Sequence, residues 1–224
     1  MIKNKLLAYQ KKKRSTFLGI GPMSLNCVDV SIDLANQFEI PLFLIASRRQ
    51  IDSKESGGGY VNNWTTEDFS SYVNERDKKG KILLARDHGG PWQNPAEISG
   101  NYSLRKAMDL AKKSYFSDIK SGFQILHLDP SIDIHSKPDI DETLDRLYEL
   151  YEYCWSQADS LRKDIAFEIG TEEQSGGTNT PQELDYVLSS VTKFCKESKI
   201  PKPTFVVVQS GTKVLETSNV GSFD

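Results

Sequence analysis

The chain alternates between short apolar runs and longer amphipathic stretches. Within each run the apolar residues follow one another instead of alternating with polar ones, which is typical of parallel strands that are buried on both faces. Strands are therefore predicted in six places, at residues 16–20, 41–45, 81–85, 123–128, 165–169 and 204–208.

The stretches between these runs carry helical signals. From Asp141 to Leu161 the apolar side chains recur with the period of an amphipathic helix. Thr180 is a natural N-cap because Pro181 follows it at the first helical position. Helices are expected from Cys27 to Phe38, from a cap at Thr65 or Thr66, from Asn101 to Lys113, from Asp141 to Leu161 and from Thr180 onward.

This alternation of strand and helix predicts an α/β fold with a parallel sheet. A doubly wound sheet usually has a glycine-rich phosphate turn after its first strand. Here the first strand is followed by Gly21-Pro22, and Pro22 has no N–H group to donate. A TIM-barrel architecture instead carries functional groups at the carboxyl ends of many strands. The polar ends of successive strands therefore favour the barrel.

The predicted barrel is incomplete. Eight strand-helix units usually need about 250 residues, whereas only six units are visible in the 224 residues of this chain. We expect one barrel domain over residues 1–224 that lacks its C-terminal part. Closure by another chain and an open six-unit relative are the alternatives.

Composition and charge narrow the classes of function. The net charge of −3 argues against nucleic acid or an anionic membrane as the main partner. No apolar window is long enough to span a membrane and the N-terminus has no signal-peptide core, so we expect a cytoplasmic protein. The basic residues 11–14 are interpreted as a solvated N-terminal turn. The three cysteines lie far apart, so neither a disulfide nor a cysteine zinc site is expected.

Polar side chains follow five of the six predicted strands. Because parallel strands end at the same rim of a barrel, we expect these side chains to surround one site. They are Ser47, Arg48 and Gln50 after the second strand, Asp87 and His88 after the third, His127 and Asp129 at the fourth, Glu168 and Glu172 at the fifth, and Gln209 at the sixth.

The residue types at this rim suit metal-assisted chemistry. His88 and His127 are candidate ligands of a divalent metal, and zinc is the metal most often bound by imidazole. Asp87, Asp129 and Glu168 are candidates for the general acid or base. A histidine in a strand also occurs as a hydrogen-bonded core residue, and Asp87 can equally cap the next loop. His135 lies in a predicted exposed loop and is a poor third ligand.

Two glycine clusters follow the second and fifth strands, at residues 57–59 and at Gly176-Gly177. They are either flexible turns or backbone N–H donors to a phosphate. Arg48 can meet a substrate phosphate or a rim carboxylate such as Glu172.

Several motifs occur together in a familiar order: "DHGGPWQN", "HLDPSID", "FEIGTEEQSGG", "VVVQSGTKV" and "TSNV", preceded by "PLFLIASRRQIDSKESGGGYVNNWTTEDFSSYV". Their sequence and spacing resemble the so-called non-catalytic subunits of class II D-tagatose-1,6-bisphosphate aldolase (the GatZ/KbaZ family). The resemblance covers nearly all of the chain from about Phe17 onward.

The resemblance implies a class II aldolase-type barrel that supports a separate catalytic subunit. Catalytic class II aldolases bind zinc through three histidines, one of which directly follows a catalytic aspartate. Asp87-His88 matches that pair, whereas the sixth strand ends in Gln209 where a further histidine would be expected. The resemblance also implies a sugar phosphate as ligand. The residues expected to bind it are Ser47, Arg48, Gln50, Glu172, Gly176, Gly177 and Gln209.

Three functions follow as hypotheses. The first is an accessory aldolase subunit that contacts a catalytic subunit or a second copy of itself. The second is an active metal-dependent aldolase or epimerase in which Asp87 is the acid or base and His88 is a metal ligand. The third is a structural barrel without a site. Metal content separates the first two, and stable folding without a partner tests the third.

Overall fold

The computed structural model describes residues 2–14, 16–170, 180–208, 213–215 and 218–220. Its strands are β1 (Leu18–Ile20), β2 (Leu42–Ser47), β3 (Ile82–Asp87), β4 (Ile125–Leu128), β5 (Ala166–Ile169), β6 (Phe205–Val206), β7 (Lys213–Leu215) and β8 (Ser218–Val220). Its helices are α1 (Ile2–Lys13), α2 (Leu25–Phe38), α3 (Thr66–Arg76), α4 (Pro95–Ser99), α5 (Leu104–Ser121), α6 (Ile140–Ser160) and α7 (Pro181–Glu197), with a short 3₁₀ turn at Lys54–Ser56.

The first six strands form one sheet in which every neighbouring pair is parallel. Their order in the sheet is their order in the sequence, β1-β2-β3-β4-β5-β6. A doubly wound sheet would reverse its strand order at a switch point. The uninterrupted order confirms the prediction of six parallel barrel-type strands and excludes the doubly wound alternative for this sheet. Strands β7 and β8 form a separate antiparallel pair.

The sheet curls into a half-barrel. Phe43 on β2 and Phe205 on β6 show the curl directly, because their ring centroids are only 6.2 Å apart. In a flat sheet, strands four places apart would be separated by roughly 19 Å, at about 4.8 Å per strand. The two rings therefore meet across the concave side of the sheet.

Two hydrophobic clusters lie on opposite faces of this sheet. The outer cluster packs the helices against alternate strand residues such as Leu44, Leu84, Leu126 and Phe167. The smaller inner cluster fills the concave side with the intervening residues, among them Phe43, Leu83, Ala85, Ile125 and Ala166. Both faces are buried, which explains why the strands read as continuous apolar runs.

Helix α1 covers the N-terminal end of the concave side. Leu6, the one residue of α1 described as buried, joins the inner cluster. Residues 11–14 are exposed, as expected, but Lys11 to Lys13 form the last turn of α1 and not a separate turn. Lysines are favourable there because the helix dipole leaves partial negative charge at the C-terminal end.

Most helix predictions are close to the observed bounds. Thr65 caps α3 and Thr180 caps α7, and in each cap the threonine N–H donates a reciprocal hydrogen bond to the carboxylate of the third helical residue. The helix expected from Asn101 to Lys113 begins later and is longer. Ser103 caps α5, which continues to Ser121. None of the helices in the described residues is long and apolar enough to cross a membrane.

Candidate functional site

The carboxyl ends of β2 to β5 bring four polar side chains into one layer on the concave side. Ser47 is the partner of Asp87 in the β2–β3 ladder, and His127 is the partner of Glu168 in the β4–β5 ladder. In the β3–β4 ladder Ala85 pairs with Ile125, two residues before Asp87 and His127. Side chains two residues apart point to the same face of a strand. The rim predicted from the sequence is thereby present for these four residues.

Asp87, His88 and His127 form a group that could hold a metal ion. Their potential ligand atoms all lie within 4.8 Å of one another. His127 Nδ1 is 3.5 Å from Asp87 Oδ1, and His88 Nε2 is 3.8 Å from the same oxygen. Two imidazoles and a carboxylate are a donor set that suits Zn²⁺ and other divalent ions.

His127 supports this assignment most directly. Its side chain is almost completely buried. Its Nε2 atom has no hydrogen-bond partner among the described residues. A buried nitrogen without a partner is costly unless a ligand or water satisfies it. Nδ1 faces the backbone N–H of His88 at 3.3 Å and Asp87 Oδ1 at 3.5 Å, so Nε2 is the ring nitrogen that is left without a partner among the described residues. These residues therefore fit a divalent metal.

His88 is held in an unusual backbone conformation. Its φ angle is +44°, in the left-handed region that residues other than glycine seldom adopt. Its backbone N–H donates to His127 Nδ1 at 3.3 Å, and its ring Nδ1 lies 2.6 Å from Asp129 Oδ2. Strain of this kind persists where surrounding contacts fix the residue, and it is common at functional sites.

The carboxylate of Asp129 is fully engaged inside the protein. Oδ2 accepts hydrogen bonds from His88 Nδ1 and from Gln93 Nε2, the latter at 2.8 Å. Oδ1 accepts from the backbone N–H and the hydroxyl of Ser131. Four donors occupy the roughly four lone-pair sites of a carboxylate. Asp129 was expected to act as an acid or base on a substrate. Its hydrogen bonds in the structure are made to protein donors, and the acid or base role stays a prediction.

The pKa of Asp87 is lowered and the pKa of His127 is raised by their mutual contact, although Asp87 is only half-buried. Burial by itself would raise the pKa of Asp87, but the hydrogen bond with His127 and the charge of His88 hold it below its ordinary value. Burial would lower the pKa of His127, but the hydrogen bond with Asp87 and the carboxylates of Asp129 and Glu168 raise it. Asp87 is thereby kept ionised, which is the form that binds a cation.

Glu168 has the opposite tendency. Burial raises the pKa of Glu168, and the neighbouring imidazole of His127 offsets only part of this effect. A carboxyl group whose pKa is raised in a cleft suits proton transfer near neutral pH. Its proposed role as an acid or base is compatible with this environment and stays a prediction.

Arg48 has a different position from the one expected of a phosphate ligand. Its side chain is fully buried, and its guanidinium donates to Asp52, to Glu97 and to the carbonyl of Gly90. These contacts tie the loop after β2 to the loop after β3. The geometry therefore makes Arg48 a structural residue, because no face of its guanidinium is open to a ligand.

The two remaining candidates after β2 lie at the rim. Gln50 accepts a hydrogen bond from the backbone N–H of Ser47 at 2.9 Å and donates to Met23. The glycine cluster at residues 57–59 follows β2. At Gly59 a glycine is required because a Cβ atom there would lie 2.1 Å from the carbonyl oxygen of Gln50. This close approach supports the turn interpretation of that cluster.

Glu172, Gly176, Gly177 and Gln209 are outside the described residues. His135 is exposed, as predicted, and its Nε2 lies 2.9 Å from the carbonyl oxygen of Tyr102. It takes no part in the group of Asp87, His88 and His127.

Two residues of this region escaped the sequence-based prediction. Gln93 donates to Asp129, and Tyr115 on α5 donates through its hydroxyl to the carbonyl of His127 at 2.7 Å. Gln93 lies in an irregular loop without a periodic pattern, and the pattern of the amphipathic helix α5 marks Tyr115 as a core residue without indicating its hydrogen bond. The one available sign was a buried aspartate two residues after His127, since such a carboxylate requires donors.

Comparisons with known proteins give similarity of structure only. No family model matches the sequence, and no curated protein matches it. One similar structure is described as a probable tagatose 6 phosphate kinase from Sinorhizobium meliloti 1021, with a TM-score of 0.62 and 22% identity over 82% of this chain and 44% of that chain. Another is fructose-bisphosphate aldolase from Campylobacter jejuni, with a TM-score of 0.53 and 14% identity over 91% of this chain and 55% of that chain.

These similarities establish the class of fold. At such identities they show an aldolase-like barrel and no more. The chain spans about half of the length of each of these two structures. Activity, ligand and partners consequently have to be argued from the site itself.

Proposed function

We propose that this chain is an aldolase-like protein that binds a divalent metal and a sugar phosphate at the strand ends of its barrel. We further propose that it acts as an accessory subunit of a class II tagatose-bisphosphate aldolase. Two observations carry the metal site: Asp87, His88 and His127 each offer a ligand atom within 4.8 Å of the others, and the buried Nε2 of His127 has no partner among the described residues.

A sugar phosphate is the ligand class that the comparisons favour. Both similar structures bear names that refer to phosphorylated sugars, tagatose 6-phosphate in one and fructose bisphosphate in the other. The resemblance of the sequence motifs to tagatose-bisphosphate aldolase subunits points to the same class. A divalent ion in such a site would polarise a carbonyl or hydroxyl oxygen of the sugar.

The donor set supports an accessory role. The chain has three histidines, and only His88 and His127 belong to the metal-binding group. A site with two imidazoles and carboxylates binds zinc less selectively than three imidazoles do and also accepts Mg²⁺ or Mn²⁺. We therefore expect weak metal binding and no aldol cleavage by this chain alone.

An exposed apolar stripe supports contact with another subunit. On α2, Val30, Leu34 and Phe38 recur every fourth residue and are 55%, 41% and 61% exposed. Leu18 is 57% exposed on β1, which among the described residues pairs with β2 alone and so has one free edge. Apolar surface beside a free strand edge is characteristic of an interaction site. The occupant that we propose is the catalytic subunit, with a second copy of this chain as the alternative.

An active metal-dependent aldolase is the second candidate. It is favoured by two carboxyl groups with opposite pKa shifts in one layer, because Asp87 is kept ionised while burial raises the pKa of Glu168. Such pairs divide the roles of base and acid in many enzymes. In this alternative Asp87 accepts the proton and Glu168 returns it.

Metal titration and a coupled aldolase assay test the proposal together. The purified chain is titrated with Zn²⁺, Mn²⁺ and Mg²⁺, and cleavage of tagatose 1,6-bisphosphate is measured with and without a class II catalytic subunit. We expect metal binding that is lost in H88A and H127A, and stimulation of the catalytic subunit without cleavage by the chain alone. H135A is the matched control, since His135 lies outside the group.

The possible results separate the candidates. Cleavage by the chain alone, abolished by H88A, favours the active enzyme over the accessory subunit. No metal binding, or binding that H135A reduces as strongly as H88A, contradicts the metal site. Light scattering with and without the catalytic subunit distinguishes a mixed complex from self-association.

A further inference from the structure

The loop after β3 folds over the end of β4 and buries a small hydrogen-bond chain there. Gln93, at 4% exposure, donates to Asp129, which is 1% exposed and contacts the ring of His88. His88 in turn belongs to the proposed metal-binding group, whereas Gln93 and Asp129 do not. This series of hydrogen bonds therefore runs from the protein interior outward to His88, one of the proposed metal ligands.

Asp129 determines which nitrogen of His88 carries the proton. Its Oδ1 oxygen faces a backbone N–H of Ser131, which can only donate. Its Oδ2 oxygen faces Gln93 Nε2, which is also a donor, and His88 Nδ1 at 2.6 Å. An ionised carboxylate has no proton to give, so His88 Nδ1 must be the donor. In neutral His88 the lone pair then resides on Nε2, the nitrogen nearer to Asp87.

Gln93 holds the carboxylate of Asp129 in place, and this carboxylate in turn orients the ring of His88. Without Gln93, Oδ2 of Asp129 would keep only its contact with His88 among the described residues, and the carboxylate would lose one of the hydrogen bonds that fix its orientation. The loop that carries Gln93 is itself anchored, because the backbone N–H of Trp92 donates to Glu97 and Arg48 donates to the carbonyl of Gly90. The amide of Gln93 is consequently presented by a rigid segment.

We propose that Gln93 and Asp129 are positioning residues that hold His88 as the Nδ1–H tautomer, with Nε2 presented to the metal. This inference rests on the proposed metal site and adds to it two residues that do not touch the ligand. Histidine ligands of metals commonly donate their other N–H to a carboxylate, and losing such a partner typically weakens metal binding by roughly 10–100-fold.

The tautomer can be measured without any metal. The chain has three histidines, so a long-range proton–nitrogen correlation spectrum of the metal-free protein is readily assigned with H88A, H127A and H135A. We expect His88 as the Nδ1–H tautomer in the wild type. In D129N the backbone N–H of Ser131 keeps the amide oxygen on its side, so the amide NH₂ faces His88 and shifts it to the Nε2–H tautomer.

Metal affinity provides the second arm. We expect Q93A to weaken Zn²⁺ or Co²⁺ binding by roughly tenfold, while circular dichroism remains that of the wild type. Q124A is the matched control, since the side-chain amide of Gln124 also makes an internal hydrogen bond, accepting from the backbone N–H of Leu84 at the other end of the strands. Loss of affinity in Q93A but not in Q124A separates positioning from general destabilisation.

The tautomer measurement and the affinity measurement distinguish an error in the positioning inference from an error in the proposed metal site. If His88 is the Nε2–H tautomer in the wild type, or if D129N leaves the tautomer unchanged, the positioning inference is wrong even where metal binds. If the wild type binds no metal but shows the expected tautomers, the proposed metal site is wrong while the orienting role of Asp129 stands. Equal affinities in wild type and Q93A remove Gln93 from the positioning pair.

Discussion

The carbonyl oxygen of Asp129 lies where a side chain on Gly90 would begin. A Cβ atom added to Gly90 would be 1.7 Å from that oxygen. The loop after β3 and the loop after β4 therefore meet backbone to backbone, and a glycine is required at this contact. Gly89 is similarly restricted, since its Cβ would lie 2.4 Å from the ring of Tyr115.

The first prediction concerns this contact. G90A should force the two loops apart, because the obstructing atom belongs to backbone and cannot rotate away. We expect a loss of roughly 1–3 kcal/mol in the free energy of unfolding, measured by urea denaturation, together with weaker metal binding. G21A is the control, since its Cβ would meet only side-chain atoms, Gln50 Nε2 at 3.3 Å and Met23 Sδ at 3.8 Å. Equal stability of the two variants would contradict the prediction.

The second prediction separates Arg48 from its neighbour. Arg48 is fully buried between Asp52 and Glu97, whereas Arg49 is exposed. Removing one member of a buried ion pair typically costs about 3–5 kcal/mol, since the other charge remains without a partner. We expect that loss for R48M and a change within about 0.5 kcal/mol for R49A. Thermal and urea unfolding measure both. A stable R48M variant would show that the buried network contributes little.

The third prediction concerns Glu168 and pH. Because burial raises its pKa above the unfolded value, the folded state binds more protons than the unfolded state between the two values. The contribution of Glu168 to stability is therefore present in acid and is lost as pH rises through the folded pKa. We expect E168Q to be more stable than the wild type at neutral pH, with the difference disappearing in acid. A wild type that is more stable at neutral pH would reverse the assigned direction.

The fourth prediction concerns a carboxylate with the opposite shift. Asp133 accepts hydrogen bonds from the backbone N–H groups of His135 and Ser136 and from Arg146. Although burial opposes it, these donors lower the pKa of Asp133. Its contribution is consequently present above the unfolded pKa and is lost as pH falls through the folded pKa.

We expect D133N to lose roughly 1 kcal/mol of stability at neutral pH and to match the wild type at strongly acidic pH. Unfolding curves across this range provide the measurement. D145N is the control because Asp145 is exposed on α6. A D133N deficit that persists unchanged into acid would point to lost packing instead of charge.

The sequence was sufficient for the architecture and for part of the site. Continuous apolar runs identify buried parallel strands, and the ends of parallel strands must share a rim. Asp87, His127 and Glu168 could be grouped on that reasoning alone. Their spacing along the chain is large, but the ladder makes them neighbours.

The contacts made by the irregular loops could not be predicted from sequence patterns. Arg48 looks like a phosphate ligand in the sequence, and only the fold reveals that Asp52 and Glu97 enclose it. Gln93 has no periodic partner, and its contact with Asp129 depends on how one loop lies over another. Hydrogen bonds between loops depend on tertiary packing, so local sequence rules do not encode them.

The register of β4 and β5 has a consequence for how such a site can change over evolution. His127 lies opposite Glu168 because both strands present alternate residues to the concave side. Inserting one residue within either strand would turn its functional side chain toward the helices. Insertions in the connections, even long ones, leave the ladder untouched. Length variation among proteins that share this arrangement should therefore be concentrated between the strands, and a single-residue insertion inside β4 should be as damaging as the loss of His127 itself.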